Sequence, residues 1–306
     1  MTPRVLSYAA LFAMGVGWGL TIPMAKIAVS TGHQPFGLIF WQLVVVVLFL
    51  GALTLIRGKR IVVGRVYLRL FVMVALFGAV LPDIFYYLSA IHLPGGIMAI
   101  TATCTTMFSL PIAIAMRNER FEAQRLFGLI FGFAGIVLLM APKASLPDGT
   151  NAIWVLIALL GPLLYATEGN LVARWGTQGL DPLQVVLGAS IIGLVFATPL
   201  AVGSGQWINP FADFGRAETA LAMGAALHAV VYATYVWLVG RAGSVFAAQS
   251  AYIVTAFGVL SSMVLLSETY SHWVWLALGV MMFGMFLIQP RPAKPLAPDA
   301  GMGESG

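Results

Sequence analysis

Asn118–Gly135 runs NERFEAQRLFGLIFGFAG, and Ser267–Gly284 runs SETYSHWVWLALGVMMFG. Each has an acid as its second residue, places an aromatic two positions after that acid, and closes an apolar stretch on glycine. Glu119 and Glu268 are 149 positions apart, and that offset also sets Tyr86 on Tyr235, Thr106 on Thr255, Phe108 on Phe257, Phe121 on Tyr270 and Gly135 on Gly284. Single matches between apolar helices arise by chance, because Ala and Leu recur. One offset held without a gap through four consecutive apolar stretches points to a tandem duplication.

The rest of the chain fits a membrane solvent. Of 306 residues, 60% are hydrophobic and 9% charged, and the mean hydropathy is +0.94. Ordinary soluble domains carry about 25% charged residues, so this chain is not an ordinary cytosolic enzyme, a nucleic-acid-binding domain or a disordered protein. About 20 mainly apolar residues cross the hydrocarbon core as a helix. Ten stretches qualify, near 5–28, 36–56, 66–91, 94–116, 123–141, 152–174, 182–203, 217–239, 243–266 and 272–289. The first is too long for a cleaved signal segment. The breaks between spans carry turn or charge signals such as RGKR, RNER and GTQGLDP, and the WINPF stretch (Trp207–Phe211) has the composition of an interfacial segment.

Orientation follows from the cations. If the N-terminus is cytoplasmic, 13 of the 16 Lys and Arg residues fall on that side, leaving Lys26, Lys143 and Arg216 outside. This is the bias of the positive-inside rule, and it accounts for the net charge of +5 without an acidic partner. Both termini are then cytoplasmic. The expected fold class is an all-α integral membrane protein with ten transmembrane helices in two five-helix repeats. Because five is odd, the second repeat enters from the opposite face, which makes the pair inverted, as in many secondary transporters. The expected boundaries are 1–141 for the first repeat, 142–151 for a linker, 152–289 for the second repeat and 290–306 for a disordered cytoplasmic tail. A duplication kept only for packing is the alternative.

These residues resemble the ten-helix EamA-type members of the drug/metabolite transporter superfamily. The resemblance rests on GWGLTIPMAK in the first helix, with Trp18-Gly19 followed by Lys26, and on the two glutamate-then-glycine stretches. It covers roughly residues 5–289 and implies a multi-pass transporter of the bacterial inner membrane. Related sequences carry amino acids, nucleosides, vitamins or toxic organic compounds.

Ionisable groups inside spans cost about 2.5–3.5 kcal/mol on insertion scales, so they mark functional positions. Asp83, Glu168 and His228 lie deepest. Asp83 follows Pro82, which favours a kink, and shares a helix face with Tyr86 and Tyr87. His228, Tyr232 and Tyr235 fall at i, i+4 and i+7, and Gly161, Tyr165 and Glu168 align near Pro162. Trp18 and Thr21, Gln249 and Tyr252, and Thr101, Thr105 and Ser109 add further polar stripes. Such stripes are expected to converge on a midplane cavity away from lipid, forming the substrate site, with Asp83 and Glu168 as proton-coupling candidates. Tyrosine and tryptophan faces favour cations and flat rings.

Each residue also has a structural alternative. Asp83 as a packing acid on a tyrosine hydroxyl, Glu168 paired with Arg174, and His228 as a helix bridge are all compatible with the sequence. Thr and Ser often bond back to their own helix. Glu119 and Glu268, at span ends, suggest caps or gate contacts, and Lys26 a snorkelling anchor. No HExxH, GxSxG or Walker sequence is present, so neither an enzyme nor a primary ATP-driven pump is expected. One cysteine and four histidines offer no zinc spacing. No cofactor or metal is expected; the partners are a small-molecule solute and membrane lipid, not nucleic acid, with monomer and homodimer both open. The expected activity is secondary transport of an amino acid or similar zwitterion by alternating access, in the export direction. The alternatives are efflux of aromatic or cationic compounds and transport of a nucleoside or vitamin.

Overall fold

The computed structural model describes residues 3–62, 64–118, 121–140, 151–209, 212, 214–242 and 249–288. Residues 142–150 of the expected 142–151 linker, the tail from 290, the cation Lys143 and the acid Glu119 lie outside them. The described residues form ten helices and no strand. They are α1 (Pro3–Val29), α2 (Pro35–Ile56), α3 (Arg65–His92), α4 (Gly95–Ala115), α5 (Ala123–Met140), α6 (Ile153–Trp175), α7 (Pro182–Gly203), α8 (Arg216–Ala242), α9 (Ser250–Leu266) and α10 (His272–Ile288). Their bounds follow the expected stretches closely, except that α9 is described only from Ser250.

Seven of the ten, α1 to α7, are long and apolar enough to cross a membrane alone. α9 and α10 each have 17 described residues, about 25 Å of helix. α8 has 27 residues and carries Glu218, His228 and Arg241 along its length.

Local chemistry sets the helix ends. Pro35 and Pro182 sit in first turns, where a missing N–H costs little. Asp181 caps α7 by accepting from Leu183 N at 3.0 Å, and Gln184 returns a bond to Asp181 N. Lys59 pairs with the same carboxylate and Gln184 also reaches Arg60 O at 3.0 Å, which fastens the basic α2–α3 loop to α7. Partial burial works to raise the Asp181 pKa, but the Lys59 and Leu183 hydrogen bonds and the charges of Lys59 and Arg57 together hold it below the ordinary carboxylate value.

Two helices are irregular in their interior. The disturbance expected at Pro82 is a π-turn over Leu76–Val80, immediately before it in α3. α4 breaks at Thr103, between Ala102 and Cys104. Both features leave backbone groups outside the regular ladder.

Helix pairing is systematic. α1 packs on α8 and α9, α6 on α3 and α4, α2 on α7, and α5 on α10. The α5–α10 contact is backbone against backbone: a Cβ on Gly128 would lie 2.6 Å from Gly284 O, and one on Gly284 would lie 2.6 Å from Gly128 O. Small residues allow such close approach where apolar burial alone cannot drive helices together in lipid. α1 uses the same device. A Cβ on Gly17 would meet Val231 Cγ2 at 2.5 Å, and one on Gly19 would meet Phe257 Cβ at 2.8 Å, so only glycine lets α1 sit between α8 and α9.

Candidate functional site

α1, α2, α3, α6 and α8 bring the buried polar side chains together in two adjoining clusters. The first is centred on Asp83 of α3, which is 6% exposed. Its Oδ2 accepts from Gln42 Nε2 at 2.7 Å, and its Oδ1 accepts from the Tyr165 hydroxyl at 2.8 Å. The Gln42 carbonyl in turn accepts from the Tyr87 hydroxyl. Tyr86 stands beside this chain, its ring centroid 5.7 Å from that of Tyr87. Asp83 therefore has a donor on each oxygen, and α2, α3 and α6 are stitched at one level. Gly161 of α6 faces α3 here, and a Cβ on it would lie 3.4 Å from Pro82 O, at ordinary contact distance.

The second cluster is centred on Glu168, one helical turn beyond Tyr165 on α6. Its carboxylate is met by the Tyr232 hydroxyl at 3.4 Å, a long and weak bond. A Cβ on Gly78, within the α3 π-turn, would lie 3.2 Å from Glu168 Cγ, so the missing side chain makes room for the acid. Around it stands a wall of rings. His228 and Tyr232 stack with centroids 6.0 Å apart, and Tyr232 and Tyr235 follow at 6.3 Å up one face of α8. Trp18 of α1 crosses that face, 5.5 Å from Tyr235 and 6.4 Å from Tyr232. The Trp18 indole N–H donates to His228 Nδ1 at 3.3 Å, which places the proton of a neutral imidazole on Nε2. All four rings are half-buried. A carboxylate with one weak hydrogen-bond partner among the described residues, beside aromatic faces, suits an organic ammonium.

The other expected positions divide. The Thr21 hydroxyl donates to Trp18 O at 2.7 Å, Thr101 to Met98 O and Thr105 to Ala102 O at 2.9 Å each, all within their own helices. Gln249 is the N-cap residue of α9, and the buried Tyr252 hydroxyl has no hydrogen-bond partner among the described residues. Neither touches an acid of the two clusters. Arg174 donates to Met116 O at 2.9 Å, so the Glu168–Arg174 pairing is not formed. Lys26 turns inward rather than snorkelling, donating from Nζ to Ala90 O at 2.6 Å. Glu268 caps α4, accepting from Gly95 N at 2.8 Å and Gly96 N at 3.2 Å. The stripes of α1, α3, α6 and α8 thus meet, with Gln42 of α2, as two adjoining clusters.

Two positions escaped the sequence reading. Gln42 links Asp83 to Tyr87; its signal was a lone amide in the apolar run FWQLVVVVLF. Asn170 donates to Ser109 O at 3.2 Å, Ser109 Oγ at 3.0 Å and Ala166 O at 2.9 Å, while Asn118 donates to Asn170 O at 3.1 Å. With Arg174 one turn on, Asn170 zips α6 to α4; the i, i+4 spacing of the two was the available clue.

Comparison with known proteins agrees with this architecture. A solved crystal structure 17% identical in sequence superimposes with a TM-score of 0.60, covering 90% of this chain and 94% of that one, a likeness of fold. The protein named "Uncharacterized inner membrane transporter YedA" of Escherichia coli (strain K12) is 24% identical over 295 residues, 94% of either chain, and its namesake in E. coli O157:H7 matches equally. The model of the EamA-like transporter family matches residues 5–141 and 152–289. The chain belongs to the EamA-like transporter family, within the drug/metabolite transporter superfamily, and is a transmembrane transporter of small solutes.

Proposed function

We propose that the solute is an amino acid or a similar small zwitterion, exported by alternating access, with Glu168 at the centre of the site and both termini in the cytoplasm. The observation that carries this is the state of Glu168: a buried carboxylate with one 3.4 Å bond, facing Trp18, Tyr232 and Tyr235. An ammonium group seated there gains the carboxylate and the ring faces together, and a proton competes with it for the same oxygens. Mutually exclusive occupancy of one acid is sufficient for proton/solute antiport. Asp83, held from both sides, orders α2, α3 and α6 around the site.

The pairing of helices supports two inverted repeats. Advancing each label by five turns the α1–α8 and α1–α9 contacts into α6–α3 and α6–α4, and it maps the α2–α7 and α5–α10 pairs onto themselves. Rocking of such related halves about a shared centre gives two states of similar energy, and one chain supplies both halves, so a monomer suffices.

Flux in proteoliposomes tests the reading. Labelled zwitterionic, cationic and neutral metabolites are offered with and without an imposed pH gradient. The expected result is flux of an amino-acid class that rises with the gradient in the wild-type protein and loses that response in Glu168→Gln. Gradient-independent flux of a neutral solute, unchanged in Glu168→Gln, overturns it.

A further inference from the structure

A cavity of about 610 Å³ opens where the C-terminal ends of α1 and α9 meet the N-terminal end of α8. It lies apart from both acid clusters, and its volume is within the range of small-molecule sites, about 300–1,000 Å³. Two cations line it, Lys26 of α1 and Arg216 of α8, together with the acid Glu268. Among the described residues neither cation forms an ion pair. Lys26 spends one donor on Ala90 O at 2.6 Å and leans on Ile91 O at 3.5 Å, which leaves it donor capacity. The acid is already engaged: both Glu268 oxygens accept from the α4 N-terminus, and Tyr270 donates to one of them. Glu268 also attracts Lys26 across the cavity, but two cations against one acid leave the surplus in the cavity positive. Ile27, Leu265 and Leu266 supply an apolar wall beside it.

From this combination we infer that the cavity is an anion-binding vestibule that takes the carboxylate of a small organic solute, with Arg216 and Lys26 as its ligands and the aliphatic wall against the solute's body. That the carboxylate belongs to a molecule in transit rests on the transport reading above; that the cavity selects anions does not. With the N-terminus of α1 cytoplasmic, the vestibule is the outer mouth. A zwitterion leaving Glu168 by its amino end meets, at the mouth, the complementary charge for its acid end.

Charge-selective labelling tests this on the full chain in phosphatidylcholine nanodiscs. Cys104, the one native cysteine, is buried, so Ser30→Cys places a reporter thiol on the cavity wall, and Ser267→Cys provides a second in case the first disturbs folding. Reaction rates with the anionic methanethiosulfonate ethylsulfonate and the cationic ethyltrimethylammonium reagent are each divided by their rates with free cysteine. The anionic reagent is expected to be favoured about tenfold or more, the scale of electrostatic focusing in a charged cleft. That preference should collapse in Arg216→Gln and in Lys26→Gln, and benzoate should slow the anionic reagent where benzylamine does not. A ratio near one, or a cationic preference, overturns the assignment. Protection that depends on adding phosphatidylglycerol and not on benzoate gives the site to a lipid headgroup and also overturns it. Labelling requires no flux, so failure of the transport experiment and failure of this one are separable.

Discussion

Asp83 on α3 and Glu168 on α6 are both carboxylates inside the bundle, their clusters adjoining where Tyr165 and Glu168 stand one turn apart on α6, and both are coupling candidates by sequence. Their surroundings differ. Asp83 is held by Gln42 and Tyr165 at 2.7 and 2.8 Å, with Tyr87 behind Gln42. Glu168 has Tyr232 at 3.4 Å and a wall of rings. A buried polar group whose partners are all present is a fastening; one whose partners are incomplete is poised to accept something else. In a membrane, then, depth nominates an acid and the number of its partners decides between structure and transport.

The largest expected effect breaks the symmetry between the two. Glu168→Gln should lower flux by about 100-fold, the scale of losing an interaction near 3 kcal/mol, while the melting temperature in detergent stays within about 2 °C. Asp83→Asn should do the reverse: retain measurable, gradient-responsive flux while losing about 1–3 kcal/mol of stability, because an amide cannot accept on both sides as the carboxylate does. If Asp83→Asn abolishes gradient response and Glu168→Gln keeps it, the assignment of roles is inverted.

Next in size is Gln42. Gln42→Leu removes the donor to Asp83 and the acceptor for Tyr87 at once, and should cost about 1–3 kcal/mol, measured as urea or thermal stability. Combined with Asp83→Asn the losses should be clearly less than additive, since the two residues share one bond. Additive losses would show that the chain from Tyr87 to Asp83 does not act as a unit.

What the sequence makes legible follows the physics of each feature. Helix existence rests on long apolar runs, and those bounds agree to a few residues. The proposed repeat rests on matches at one offset, and the expected convergence of polar stripes rests on helical faces. Sequence spacing along one helix, however, says nothing of rotation against a neighbour. Gln42 is therefore invisible as the partner of Asp83, because the bond crosses 41 positions. Lys26 reads as an interfacial cation, yet the α3 C-terminal carbonyls lie within reach of it. The π-turn over Leu76–Val80 has only Gly78 and Pro82 as traces, and no local signal tells that its glycine makes room for Glu168.

The smallest expected effect is the sharpest probe of the comparison. Tyr232→Phe removes the one hydroxyl that touches Glu168 but leaves the ring and its stacking on His228 and Tyr235. A 3.4 Å bond contributes little, so stability should change by less than about 0.5 kcal/mol and flux by no more than about threefold. Tyr165→Phe makes the equivalent deletion on Asp83, where the bond is 2.8 Å, and should cost about 1 kcal/mol or more. The two substitutions remove the same atom from the same residue type, one beside each acid. Equal losses in stability would mean that Glu168 is fastened as firmly as Asp83, and the reason for placing the solute's ammonium there would be gone. Unequal losses, with the larger on Asp83, leave Glu168 as the acid with capacity to spare.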